Sequence, residues 1–116
     1  MQKIIVLFVF VSLYFTSFSL AQKTAEAIIK TKIYCDHCTE CGSCQERIIH
    51  ELKFTKGVKS AELDVPKQEI RVVYFNSKTD LDKIKEAINR AGFDADDQVA
   101  DVKYSAKLDD CCKKQE

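Results

Sequence analysis

Cys35, Cys38, Cys41 and Cys44 stand at three-residue intervals in the segment CDHCTECGSC. Thiolates at this spacing in one short loop can converge on a single soft cation, and they select Cu(I), Zn(II), Cd(II) or Hg(II) over magnesium or calcium. The chain has six cysteines and spends four of them here; the other two are adjacent, at Cys111 and Cys112. A bridge inside a Cys-x-x-Cys pair closes a very small loop and removes little unfolded-state entropy. The spacing therefore argues against a simple staple framework and for metal or redox chemistry. Cys35, Cys38, Cys41 and Cys44 are the candidate metal ligands. His37 lies among them and is a further candidate, since imidazole suits zinc and copper. Cys111 and Cys112 are candidates too: the tail is long enough to fold back to the loop, and neighbouring cysteines bridge each other only under strain. Their alternatives are disulfides to Cys35 or Cys38.

The flanking pattern says what must hold this loop. Between Thr24 and Tyr34, Ala27, Ile29, Thr31 and Ile33 alternate with Glu26, Ile28, Lys30 and Lys32, which predicts a half-buried strand. After the cysteines, Ile48, Ile49 and Leu52 recur at helical spacing, predicting a helix from about Ser43 to Phe54 that stops at Gly57. The thiols then lie where a strand enters a helix, and exposed N–H groups and the helix dipole favour thiolate there. Ala61, Leu63 and Val65 mark one face of a second strand; Pro66-Lys67-Gln68 turns the chain; Ile70, Val72 and Tyr74 mark a third. Thr79 and Asp82 resemble a capping box before a helix carrying Leu81, Ile84, Ala87, Ile88 and Ala91, closed by Gly92. Residues 93–97 are expected as a last short strand, and residues 102–108 as a short helix or an extended tail. The order βαββαβ predicts an α+β, ferredoxin-like sandwich: a four-stranded antiparallel sheet with both helices on one face.

The ends and composition bound the rest. Lys3 precedes a nearly continuous apolar run from Ile4 to Phe18, and Ser19-Leu20-Ala21 sets small residues before Gln22. That is the layout of a cleavable secretory signal peptide over residues 1–21, so export, with the periplasm as the expected compartment, follows. A membrane anchor is the rival reading, because Ile4 to Ala21 reaches the lower edge of spanning length. Removing 21 of 116 residues leaves 95, enough for one domain. Loss of Lys3 leaves 17 basic against 18 acidic residues, a net charge of −1. This balance speaks against a nucleic-acid partner, which calls for a basic face. Residues 22–97 are assigned to the domain and 98–116 to a C-terminal tail bearing Cys111-Cys112.

A family resemblance becomes specific at Cys41-x-x-Cys44 with Ile48, Leu52 and Gly57-Val58 behind it, and again at Ala87-Ile88-Asn89-Arg90-Ala91-Gly92-Phe93-Asp94-Ala95. Together these resemble the heavy-metal-associated domain, whose members include copper chaperones, metal-binding modules of P-type ATPases and a periplasmic mercury-binding protein. The resemblance covers roughly residues 25–97. It implies the ferredoxin-like fold, Cys41 and Cys44 as the ligand pair, and Phe93 in the loop beside the metal. This chain departs from the family in having Thr39 where a Met is usual, and in prefixing a second pair, Cys35 and Cys38. Four thiols suit one tetrahedral zinc or cadmium, or a small Cu(I)–thiolate cluster.

The expected function is an exported soft-metal-binding protein that sequesters or hands on Cu(I), Zn(II), Hg(II) or a similar ion. Its expected partners are a membrane metal transporter or another metal-binding domain, with the protein a monomer or a metal-bridged dimer. No acid–base pair or nucleophile–base–orienter set is present, so a hydrolytic enzyme is not expected. Two alternatives stay open: a thiol–disulfide oxidoreductase of the cell envelope, and an interaction domain stabilised by disulfides. The bacterial ferredoxin cysteine run is similar too, but its last interval is three residues rather than two and a proline follows.

Overall fold

The computed structural model describes residues 23–34 and 43–113. The expected leader, along with Cys35, His37, Cys38 and Cys41, lies outside the described residues.

Strand β1 runs Thr24–Lys30, helix α1 Ser43–Lys53, strand β2 Val58–Asp64, strand β3 Glu69–Phe75 and helix α2 Leu81–Arg90. A short helix α3, Val102–Ser105, and a 3-10 turn, Asp110–Cys112, follow. The three strands form one antiparallel sheet in the order β1-β3-β2. In its register Ala27 and Ala61 flank Val72, and Ile29 and Leu63 flank Ile70, so the apolar residues of all three strands share a face. The alternation read from the sequence is thus the inner face of the sheet. Ile29, Ile70 and Val72 are fully buried there, while Ile28 points outward and is 53% exposed.

Both helices close over this inner face. Helix α1 contributes Cys44, Ile48 and Leu52, each four residues from the next and each fully buried. Helix α2 contributes Ile84, Ala87 and Ile88 to the same cluster. Burying an Ile or Leu side chain is worth about 1.5–3 kcal/mol, so these few residues supply much of the driving force for folding. On the surface, Arg90 Nε and Glu51 Oε2 link α2 to α1 at 3.7 Å, an exposed pair of small energetic weight.

The structure corrects two expectations. Helix α2 is capped one residue later than the Thr79–Asp82 pattern suggested: Asp80 is the N-cap, and its Oδ1 accepts from Lys83 N at 2.9 Å. Thr79 is instead buried, and its Oγ1 has no hydrogen-bond partner among the described residues. Residues 93–97 form no fourth strand; Ala95 and Gln98 make an isolated bridge around a turn. Asp96, at φ 52°, departs from extended backbone and interrupts the run. Asp96 still docks on the free edge of β1. Its backbone N donates to Lys30 O at 2.7 Å, and its Oδ1 accepts from Lys30 N at 2.8 Å. One side chain thus satisfies an edge donor that a ladder would otherwise pair. Its Oδ2 also meets Lys85 Nζ at 3.4 Å.

Candidate metal centre

The segment 35–42 is bounded by two well-tethered ends. On the strand side, Thr31 and Ile33 remain buried beyond β1. Thr31 N donates to Gln68 O at 3.0 Å, and Gln68 Nε2 donates to Ile33 O at 3.1 Å. The β2–β3 turn therefore grips the stretch that leads into the cysteines. On the helix side, Ser43 opens α1 and Cys44 occupies its first turn.

Cys44 is fully buried, one turn before Ile48 on the face that packs against the sheet. Its Sγ is bonded to Sγ of Cys112, with Cα atoms 6.4 Å apart and 68 residues between them in sequence. The sequence offers disulfides of the tail cysteines to Cys35 or Cys38 as an alternative to metal binding; the structure pairs Cys112 with Cys44. Cys112 is itself buried, at 1% exposure, whereas Cys111 is exposed and its Sγ lies 3.9 Å from that of Cys112. Among the described residues no group of three or more His, Cys, Asp or Glu converges. Of the candidate ligands, Cys44, Cys111 and Cys112 are described, and Cys35, His37, Cys38 and Cys41 belong to residues 35–42.

The tail that carries Cys112 returns to α1 by contacts of its own. Ser43 Oγ and Asp109 Oδ2 are hydrogen-bonded, and Arg47 Nη2 donates to Lys107 O at 3.2 Å. Leu108 is buried against the end of α2. There Gly92 N donates to Asn89 O and Phe93 N to Ile88 O, a Schellman-type ending that requires the positive φ of 101° at Gly92. A Cβ at Gly92 would fall 2.9 Å from Leu108 Cδ2. The glycine therefore both ends the helix and leaves room for the tail. Phe93 is 2% exposed and lines, with Tyr34, Leu108 and Cys112, a groove beside the sulfur pair. The aromatic ring expected beside the metal loop is thus part of the core and of this groove at once.

Three antiparallel strands and two covering helices, with a buried cysteine on the first turn of the first helix, define a small α+β module. The model for the heavy-metal-associated domain matches residues 37–94, and the chain belongs to that family. It is 35% identical over 54 residues to the copper chaperone CopZ of Staphylococcus haemolyticus, a span of 47% of this chain and 79% of that one. Among solved structures, a CopZ metallochaperone superposes with TM-score 0.54 at 25% identity, covering 61% of this chain and 98% of its own. Oxidized MerP from Ralstonia metallidurans shares the fold, with TM-score 0.52 at 16% identity over 63% of this chain and 94% of that one. So does the N-terminal domain of a potential copper-translocating P-type ATPase from Bacillus subtilis, solved Cu(I)-loaded, with TM-score 0.54 at 22% identity over 64% and 86%. The family match ends at residue 94, so the tail that carries Cys112 lies beyond it.

Proposed function

We propose that this protein is an exported carrier of a soft cation, with Cu(I) or Hg(II) as cargo and Zn(II) as a further candidate. Cys41 and Cys44 are its principal ligands, with Cys35 and Cys38 as a second pair and His37 as an auxiliary donor. The observation that carries this reading is the position of Cys44. It sits on the first turn of α1, in the register of Ile48 and Leu52, inside the span that the family model matches. Copper chaperones and a copper-transporter domain among its relatives support a metal cargo and a membrane metal transporter or a second metal-binding domain as partner. The apolar run after Lys3 supports residues 1–21 as a cleaved leader, and delivery to the periplasm. Residues 22–97 then act as the metal-binding domain, and residues 98–116 as its tail.

Transfer proceeds by ligand exchange. A partner thiolate adds to the bound ion before one chain thiolate leaves, so the ion never passes through water as a free cation. Few ligands make this exchange quick; a site saturated by four thiolates favours storage. The test is Cys41→Ser with Cys44→Ser. Losing even an outer partner of a ligand costs about 10–100-fold in affinity, so the double variant should bind Cu(I) more than about a hundredfold more weakly. Wild-type affinity in that variant overturns the reading.

The Cys44–Cys112 bond favours a second reading, thiol–disulfide exchange in the cell envelope. Protein from the exported fraction that carries no metal and cycles with a dithiol reductant would establish it in place of the first. Elemental analysis and free-thiol counts on the same sample separate the two.

A further inference from the structure

Cys112 reaches Cys44 at the end of a segment docked independently of sulfur chemistry. Asp109 bonds Ser43, the Lys107 carbonyl accepts from Arg47, and Leu108 fills the space left by Gly92. Two of these three contacts fall on the first turns of α1, next to Cys44. Within the tail, Asp101 Oδ1 caps α3 by accepting from Lys103 N at 3.0 Å, and Cys112 N donates to Asp109 O at 2.8 Å. The tail is therefore a shaped arm that brings a second buried sulfur to the thiol end of the domain. Two thiolates on one tetrahedral ion, each about 2.3 Å from it, lie nearly 4 Å apart. The Cα spacing of 6.4 Å accommodates that arrangement as well as a bond between the sulfurs.

We propose that Cys112 is a metal ligand delivered by the tail. In the reduced protein the thiolates of Cys44 and Cys112 hold the same soft ion, and the disulfide is the oxidised, metal-excluding form of that pair. The proposal rests on the reading of Cys44 as a ligand. A dithiol reductant links the two states: the Cys44–Cys112 bond breaks, each sulfur leaves as a thiol, and the reductant's own two sulfurs become bonded to each other. The ion then displaces the two thiol protons. A tail ligand raises the sulfur count above that of a lone Cys-x-x-Cys pair, which slows release and shifts the protein from hand-over toward retention.

Cu(I) binding measured by competition with a chromophoric chelator, together with copper-edge X-ray absorption, tests this on the full mature chain. In reduced protein, Cys112→Ser should bind Cu(I) at least about tenfold more weakly than wild type, with fewer sulfur neighbours around copper. A second measurement needs no variant. Wild type whose Cys44–Cys112 bond is verified by non-reducing peptide mapping should hold Cu(I) at least about tenfold more weakly than the same sample after reduction. Unchanged affinity and sulfur count in Cys112→Ser, or equal affinity before and after reduction, overturns the proposal. If Cys41→Ser with Cys44→Ser abolishes binding while Cys112→Ser binds as wild type does, the tail ligand alone falls. If the double variant binds as wild type does, the underlying reading falls with it.

Discussion

Cys44 and Cys112 tie the first turn of α1 to the last turn of the described chain, closing a loop that contains β2, β3 and α2. In the chain-entropy account, closing 68 residues is worth about 4 kcal/mol through the unfolded state. Urea denaturation of metal-free protein with and without a dithiol reductant should therefore show the oxidised form more stable by up to that amount. Identical midpoints would mean that the bond does not persist in solution.

Asp96 stands where a fourth strand was expected, and it reaches β1 through both its backbone and its side chain. Asp96→Ala removes the acceptor for Lys30 N and the carboxylate beside Lys85, and also forces alanine to adopt positive φ. A loss of about 2 kcal/mol is expected, since hydrogen bonds to charged groups are worth about 1.5–3 kcal/mol. Asp96→Asn keeps an acceptor oxygen and a residue tolerant of this backbone conformation, so it should lose less than half as much. Equal losses in the two variants would assign the effect to the ion pair with Lys85 rather than to the β1 edge.

Helix α2 offers a paired test of its corrected start. Asp80→Ala removes the bond to Lys83 N and should cost about 1 kcal/mol in chemical denaturation. Thr79→Val replaces a buried hydroxyl that has no partner among the described residues with a methyl group of similar shape. It should be neutral or stabilising. The reverse order of effects would restore Thr79 as the cap.

These cases show which features were legible in the sequence. Strand faces and helix spans followed from repeats of two and three-to-four residues, because burial on one side of the sheet imposes them directly. Ile29, Ile48, Ile70 and Ile84 all sit where periodicity set them. The cap at Asp80 and the edge contact at Asp96 depend on the exact path of the backbone. Thr79 and Asp80 are both good capping residues, and no local pattern chooses between them. The union of Cys44 with Cys112 was the least legible feature. Cysteine connectivity depends on how distant segments return, and here the return is decided by Leu108 against Gly92 and by Asp109 at Ser43. In hindsight the signal was a glycine at a helix end followed, sixteen residues on, by a lone leucine among polar residues.

Gly92 should tolerate no side chain. Gly92→Ala would place a methyl group 2.9 Å from Leu108 Cδ2 and 3.1 Å from the Tyr104 carbonyl, at φ 101°. Strain of about 1–3 kcal/mol is expected, with the tail displaced from α2. Proteolysis under native conditions should then cut residues 101–113 faster than in wild type, while the sheet and α1 stay protected. An unchanged cleavage rate would show that the tail docks without this contact.

Leu108 separates docking of the tail from the chemistry of its cysteine. Leu108→Ala leaves Cys112 in the chain but removes the buried anchor that holds the arm in place. A tethered ligand acts at an effective concentration set by how its linker confines it, and loosening the arm lowers that concentration without deleting a sulfur. Reduced Leu108→Ala protein should therefore bind Cu(I) several-fold more weakly than wild type but more tightly than Cys112→Ser. Adding Leu108→Ala to Cys112→Ser should cost nothing further, because the arm then has no sulfur to deliver. A further loss in the double variant would instead assign Leu108 to support of the core around Phe93, independent of the tail thiol.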